Sequence, residues 1–358
     1  MKIVTIVGAR PQFVKAAAVS RILRGRENVD EILIHTGQHF DANMSQIFFD
    51  ELGIDEPKYN LGISGGSHGD MTGRMLSGIE TVLESERPDW TLIYGDTNST
   101  LAAAIAASKM HIPVAHVEAG LRSFNMKMPE EINRILSDRV SSLLLCPTDI
   151  AVQNLADEGI TAGVSNVGDV MYDAALHFGR LADQNSDKII ARYGLNPEGF
   201  ALATCHRAEN TDDPVRLEQI LRALSQIAND RQVVLPLHPR TRSCIRDLSL
   251  GHYLENIVTL DPVPYLEMLW LEKNANLILT DSGGVQKEAF FFKVPCVTMR
   301  DETEWVETID AGWNILAGVQ ADHIVQAVED HKINTKLEIL PYGNGHAAEL
   351  ISDKLLGL

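Results

Sequence analysis

At 358 residues, 45% hydrophobic and 22% charged, the chain has the composition of a globular protein with room for two cores. Its formal net charge of −18 argues against nucleic acid or an anionic membrane as partner. No apolar run approaches the ~20 residues that a spanning helix needs, and four cysteines without C-x-x-C spacing read as buried thiols, not a metal site.

The opening MKIVTIVGARPQ reads as a buried first strand, not a secretory leader, so a cytoplasmic protein is expected. Apolar strand-like runs follow at 3–7, 31–35, 91–94, 114–117, 142–146 and 165–167, then at 201–205, 232–237, 257–260, 276–280, 295–299 and 313–316. Amphipathic segments such as 13–23, 72–83 and 217–228 alternate with them. This alternation predicts an α/β fold with parallel sheets covered on both faces. Two series of strands predict two Rossmann-like domains facing across a cleft: 1–168 and 169–343. The break is expected around the polar stretch 179–196, and a helix over 344–358 is expected to return to the first domain.

Ligands of open parallel sheets bind beyond the carboxyl ends of the strands. In the first half those ends carry Gly8-Ala9-Arg10-Pro11, Thr36-Gly37-Gln38-His39, Gly95-Asp96-Thr97 and Glu118-Ala119-Gly120-Leu121-Arg122. In the second they carry His206-Arg207-Ala208-Glu209, His238-Pro239-Arg240, Asp281-Ser282-Gly283-Gly284 and Arg300-Asp301-Glu302. The strand, small-residue turn and helix over 276–292 form an anion site suited to phosphate or pyrophosphate, with Glu288 one turn in and within reach of ribose hydroxyls. An ordinary βα turn explains Ser-Gly-Gly equally well. The first strand is followed by GARPQF, not G-x-G-x-x-G, and no Walker loop, H-E-x-x-H or zinc spacing is present. Neither a cofactor nor a metal is expected.

Arg10 and Lys15 sit at the start of the first helix, where they could neutralise a diphosphate or be solvated cations. Asp96, Glu118 and Glu131 are candidates for general acid and base, although glutamates opening a helix, such as Glu130 and Glu131, also serve its dipole. His206 and His238 could each donate to a phosphate or be satisfied interior histidines.

Taken together, the chain resembles the non-hydrolysing UDP-N-acetylglucosamine 2-epimerases. The stretches that carry the resemblance are Gly8–Pro11 with Lys15, Thr36–His39, Gly95–Thr97, His116–Arg122, Pro129–Arg134, His206-Arg207, Asp281–Gly284 with Gln286 and Glu288, and Pro341-Tyr342-Gly343. They run in order over almost the whole chain. The resemblance implies a GT-B-like arrangement, a UDP-sugar substrate, no metal or nicotinamide, and a homodimer. It further implies that Arg10, His206, Ser282, Gly283 and Gly284 hold the diphosphate and Glu288 the ribose, while Val263 and Met268 lie against the uracil. Gln38, Lys15, Arg122 and His238 complete the expected substrate contacts. The implied chemistry removes the C2 proton as UDP leaves C1, giving a 2-acetamidoglucal, and then adds UDP back with C2 protonated from the opposite face.

Some residues depart from the family's usual pattern. Ala9-Arg10-Pro11-Gln12-Phe13 stands where T-R-P-E is common, and Glu302-Thr303-Glu304-Trp305-Val306-Glu307 where T-T-E-R-P-E is common. Met268 replaces an aromatic, and residues 62–73 differ around the regulatory substrate site, which leaves activation by UDP-N-acetylglucosamine open. The first two variants are similar to the branch acting on UDP-2,3-diacetamido-2,3-dideoxy-glucuronate. UDP-N-acetylglucosamine itself, a glycosyltransferase, a hydrolysing epimerase and a catalytically silent sensor are the competing expectations.

Overall fold

The computed structural model describes residues 1–38, 51–196, 199–330 and 340–358; His39 of the expected strand-end motif lies outside them. Two wholly parallel sheets organise the chain. The first contains β1 (Lys2–Val7), β2 (Asp30–His35), β3 (Tyr59–Asn60), β4 (Trp90–Tyr94), β5 (Val114–Val117), β6 (Leu143–Cys146) and β7 (Val164–Asn166), in the order β3-β2-β1-β4-β5-β6-β7. The second contains β8 (Ala201–Thr204), β9 (Val233–Pro236), β10 (Ile257–Leu260), β11 (Leu277–Thr280), β12 (Cys296–Thr298) and β13 (Asn314–Leu316), in the order β10-β9-β8-β11-β12-β13. The α/β class with two Rossmann-like sheets is therefore the one expected. Central strands are buried end to end, as β5, β8 and β11 show, because helices cover both faces.

The edge strand β3 has no counterpart among the sequence expectations. It pairs only Tyr59 with Ile34 and Asn60 with His35, too short a run to leave a periodic signal. The stretch 179–196, expected as a loose break, is instead mostly helical: one helix spans Val170–Asp183 and the next Ser186–Tyr193. Residues Met1–Ala174 with Leu340–Leu358 form one compact unit and Ala175–Ile339 the other, so the division falls inside the first of these helices and not after Gly168.

In the first unit, helix Ala347–Leu356 packs on helix Arg10–Arg24. Asp173 accepts from the first N–H groups of that late helix, Ala347 (3.0 Å) and Ala348 (2.8 Å), and Arg26 pairs with Asp353. Gln12 locks the turn after β1. Its Oε1 accepts from the N–H groups of Gly8 (2.8 Å) and Ala9 (3.0 Å), and its Nε2 donates to the Tyr94 carbonyl (2.7 Å) and to Thr100 Oγ1 (3.0 Å). Only an amide can accept and donate in this way, which gives the Gln12 departure a physical reason. Among the described residues no helix is long and apolar enough to cross a membrane.

Candidate active site

In each sheet the chain leaves a central strand in one direction and later returns on its other side. The resulting switch points lie between β1 and β4, and between β8 and β11. These are the positions where doubly wound sheets bind ligands. Most of the expected site residues stand at one or the other.

In the first unit, Asp96 follows β4 and Glu118 follows its neighbour β5. Lys15, nearly buried, turns inward and pairs with Glu118. The pair sits over the Cα of Gly95, where an added Cβ would meet Glu118 Oε2 at 3.2 Å and Lys15 Nζ at 3.5 Å. Gly95 also has φ +62, so glycine is required there twice over. Glu118 itself holds φ 72, a left-handed backbone that a glutamate adopts at a cost of about 1–3 kcal/mol. Such strain is kept where the side chain's position matters.

One arginine on the helix Pro129–Val140 reaches two of the candidate carboxylates. Arg134 donates to Asp96 Oδ2 (2.6 Å) and to Glu131 Oε2 (2.8 Å). Asp96 remains about a third exposed, whereas Glu131 is buried. The Glu131 oxygens also accept from the N–H groups of Ser123 (2.9 Å) and Phe124 (2.8 Å). Burial pushes this carboxyl up, but the Ser123, Arg134 and Phe124 hydrogen bonds outweigh burial and hold it below 4.5. Glu131 thus anchors the chain ahead of its own helix.

Beneath these groups lies a buried polar chain. His116 Nε2 donates to the Gly95 carbonyl (2.7 Å) and its Nδ1 meets Asp138 Oδ1 at 2.7 Å. Asp138 Oδ2 accepts from Gly120 N–H (3.1 Å) and Arg122 (2.7 Å). Burial raises the Asp138 carboxyl, and His116 with Arg122 lowers it further, to below 3.8. Arg122 also donates to Glu158 at 2.6 and 2.9 Å. Expected as a substrate contact, the Arg122 side chain is instead 1% exposed and fully engaged, so it braces the turn after β5 from below. Gln38 Oε1 accepts from the N–H (3.1 Å) and hydroxyl (2.8 Å) of Ser99, which ties the end of β2 to the helix after β4. Arg10 is the exposed first residue of its helix.

In the second unit, one buried carboxylate ties the two strand ends together. Asp281, at the end of β11, accepts from the N–H groups of His206 (3.0 Å) and Arg207 (3.0 Å) after β8, and from Asn210 Nδ2 (3.2 Å). The His206 side chain stays 47% exposed, with Nδ1 3.8 Å from Asp281. Ser282 precedes the helix Gly283–Phe291, makes no side-chain cap bond, and donates its N–H to Thr280 Oγ1 (2.9 Å). A Cβ on Gly283 would meet Trp305 Nε1 at 2.8 Å, so this close approach of the 300–305 loop depends on glycine.

Glu288 is nearly buried, and Glu272 beside it is buried completely. Burial, reinforced by the neighbouring Glu288, pushes Glu272 well above the ordinary carboxylate range. Val263 and Met268 are half-buried against the core that contains Trp270 and Val285. His238 is exposed and caps its own helix, Nδ1 accepting from Arg240 N–H (3.3 Å). Among the described residues no cluster of His, Cys, Asp and Glu could hold a metal. Cys146, Cys205 and Cys296 are buried, and burial pushes the Cys146 and Cys296 thiols up to about 12.

Sequence reasoning missed Asp138 and gave Arg134 and Asp281 a place in a motif but no role, because their importance lies in what they hold. Arg134 stands one turn from its partner Glu131, but its other partner, Asp96, and the His116 and Arg122 partners of Asp138 belong to other strands and the turns after them.

A parallel α/β chain with carboxylates at one switch point and a glycine turn at another has the outline of a sugar-nucleotide enzyme. Comparison with known proteins makes it specific. The sequence profile of the UDP-N-acetylglucosamine 2-epimerases matches residues 21–356. The chain is 56% identical to the UDP-2,3-diacetamido-2,3-dideoxy-D-glucuronate 2-epimerase of Pseudomonas aeruginosa over 100% of both chains. The crystal structure of the Methanocaldococcus jannaschii UDP-GlcNAc 2-epimerase in complex with UDP-GlcNAc and UDP matches at 45% identity and a TM-score of 0.85, covering 100% of both. That of the Neisseria meningitidis enzyme bound to UDP-GlcNAc matches at 30% identity and 0.88, again over 100% of both. The chain belongs to the UDP-N-acetylglucosamine 2-epimerase family, and so to the sugar-nucleotide isomerases.

Proposed function

We propose that the protein is a non-hydrolysing 2-epimerase that converts UDP-2,3-diacetamido-2,3-dideoxy-glucuronate from the gluco to the manno form for surface polysaccharide. The observation that carries the substrate is the 56% identity, over both whole chains, to the Pseudomonas aeruginosa enzyme of that name. A second reading, UDP-N-acetylglucosamine as substrate, is favoured by the two related structures that hold it.

The ligand contacts follow the chemistry of each group. Ser282, Gly283 and Gly284 offer a helix N-terminus to the diphosphate, with the half-exposed His206 as a donor. Glu288 takes the ribose hydroxyls, and Val263 and Met268 lie against the uracil. His238, its Nδ1 occupied as a cap, offers Nε2–H.

Proton transfer falls to the first unit. One carboxylate takes the C2 proton while the C1–O bond breaks, its electrons leave with UDP, and a C1–C2 double bond forms. UDP then adds back at C1 as a second carboxylate protonates C2 from the other face. Glu118 and Asp96 are the groups proposed for these two steps. Glu131, the third candidate carboxylate, is held by the Ser123 and Phe124 N–H groups and by Arg134, which also holds Asp96. A C2 hydrogen without an adjacent carbonyl is a weak acid, so stabilising the departing UDP supplies most of the rate. We further infer a cytoplasmic homodimer, which rests on the resemblance to the family.

Proton NMR in heavy water tests the reading. One sample contains the diacetamido-glucuronate nucleotide and another UDP-N-acetylglucosamine. Deuterium should enter C2 as a manno signal grows, faster in the first sample. A faster second sample would transfer the assignment to UDP-N-acetylglucosamine, UDP accumulating together with the free manno sugar would make it a hydrolase, and intact sugars without exchange would remove the epimerase reading.

A further inference from the structure

The loop after β12 brings a carboxylate to the turn proposed for the diphosphate. Glu304 Oε1 accepts from Arg207 (3.2 Å) and Oε2 from Arg300 (2.8 Å). The same Oε1 stands 3.1 Å from where a Cβ on Gly283 would be, beside the N-terminus of helix Gly283–Phe291. Two guanidinium groups and the positive end of a helix are the set that recognises a phosphate. The loop is fixed independently of Glu304, since Thr303 Oγ1 donates to the buried Gln286 Oε1 (2.6 Å) and Lys287 Nζ lies 4.2 Å from the Trp305 ring centre.

We propose that Glu304 holds the place of a ligand phosphate, so that binding a nucleoside diphosphate is an exchange of anions at Arg207, Arg300 and Gly283. This rests on the reading that the Ser282–Gly284 turn takes the diphosphate. The two arginines are unequal in it. Arg300 is buried and also donates to Glu209 (3.1 Å), so it keeps a partner when Glu304 leaves. Arg207 is about a third exposed, and among the described residues its side-chain ion pair is with Glu304. Exchange therefore frees Arg207 for the ligand, and the Glu304 carboxylate, 48% exposed, turns towards solvent and away from the incoming negative charge. The device makes the site selective for ligands carrying enough charge to displace a carboxylate.

Calorimetric titration of the full-length protein with uridine, UMP and UDP tests this, using wild type, Glu304→Gln and Arg207→Met. Glu304→Gln keeps the shape and removes the competing charge, so UDP should bind about threefold to tenfold tighter while uridine is unchanged. Arg207→Met should weaken UDP by about tenfold and again leave uridine alone. A Glu304→Gln variant that binds UDP no tighter than wild type, or that tightens uridine equally, overturns the exchange. Wild type that binds uridine but gains nothing from the phosphates of UDP overturns the diphosphate reading itself, and the exchange with it.

Discussion

The two units organise their functional groups with different emphasis. In the first, side chains hold side chains: Lys15 holds Glu118, Arg134 holds Asp96 and Glu131, and Asp138 joins His116 to Arg122. In the second, one buried carboxylate, Asp281, holds backbone, and the groups left to meet a ligand are a helix N-terminus and the partly exposed His206 and Arg207. The difference fits the tasks proposed for them. Proton transfer to carbon needs charges fixed in direction before substrate arrives, because reorganisation during the reaction would add to the barrier. Binding a flexible diphosphate needs donors that can follow its oxygens.

If that contrast is right, substitutions should separate turnover from affinity. Glu118→Gln should cut deuterium exchange at C2 by about 10²–10⁴ while leaving the Kd for UDP unchanged, since only a proton carrier is lost. A comparable loss of UDP affinity would break the contrast. Asp281→Asn should do the reverse. It replaces a buried acceptor of three hydrogen bonds with a group that must also donate, costing about 2–3 kcal/mol in thermal unfolding and weakening UDP through the displaced His206–Arg207 turn. Glu288→Gln should weaken UDP about tenfold, as expected for a charged acceptor of ligand hydroxyls.

The smallest effect is a pH dependence. The folded Glu131 carboxyl lies below its unfolded 4.5, so its contribution is complete above pH 4.5 and disappears as pH falls through the folded value. Glu131→Gln should therefore cost about 1–2 kcal/mol at pH 7, and the two proteins should converge in stability under acid. A difference that persists unchanged into acid would show that Glu131 does not anchor the Ser123–Phe124 segment as a carboxylate.

Strand ends were legible in the sequence because burial on both faces writes a continuous apolar run that stops where the ligand side begins. Val114–Val117 matches its expected run residue for residue, and so does Ile257–Leu260, although that edge strand leaves Thr259 exposed. What each end group touches was not legible, because partners are set by sheet order. Glu118 and Asp96 stand at adjacent strand ends only because β5 pairs with β4, and Lys15 reaches Glu118 from a helix 103 residues earlier in the chain. Arg122 misled for a related reason. A cation just past a strand end suggests ligand, yet Asp138 and Glu158 turn it inward, and no local pattern announces them. The stretch 179–196 failed differently: polar residues spaced around two short helices look like a linker when only composition is weighed.

The packing of helix Ala347–Leu356 on helix Arg10–Arg24 has a consequence for how the protein is made. The helix that carries Arg10, Gln12 and Lys15 leaves the ribosome early, but the helix that covers it is translated only after the entire second unit. At roughly 5–20 residues per second, the first unit waits many seconds with one side of that helix bare. A fragment ending at residue 174 would keep that exposed side permanently. Linking residues 340–358 directly to residue 174 would give the first unit the segment that its own synthesis delivers last.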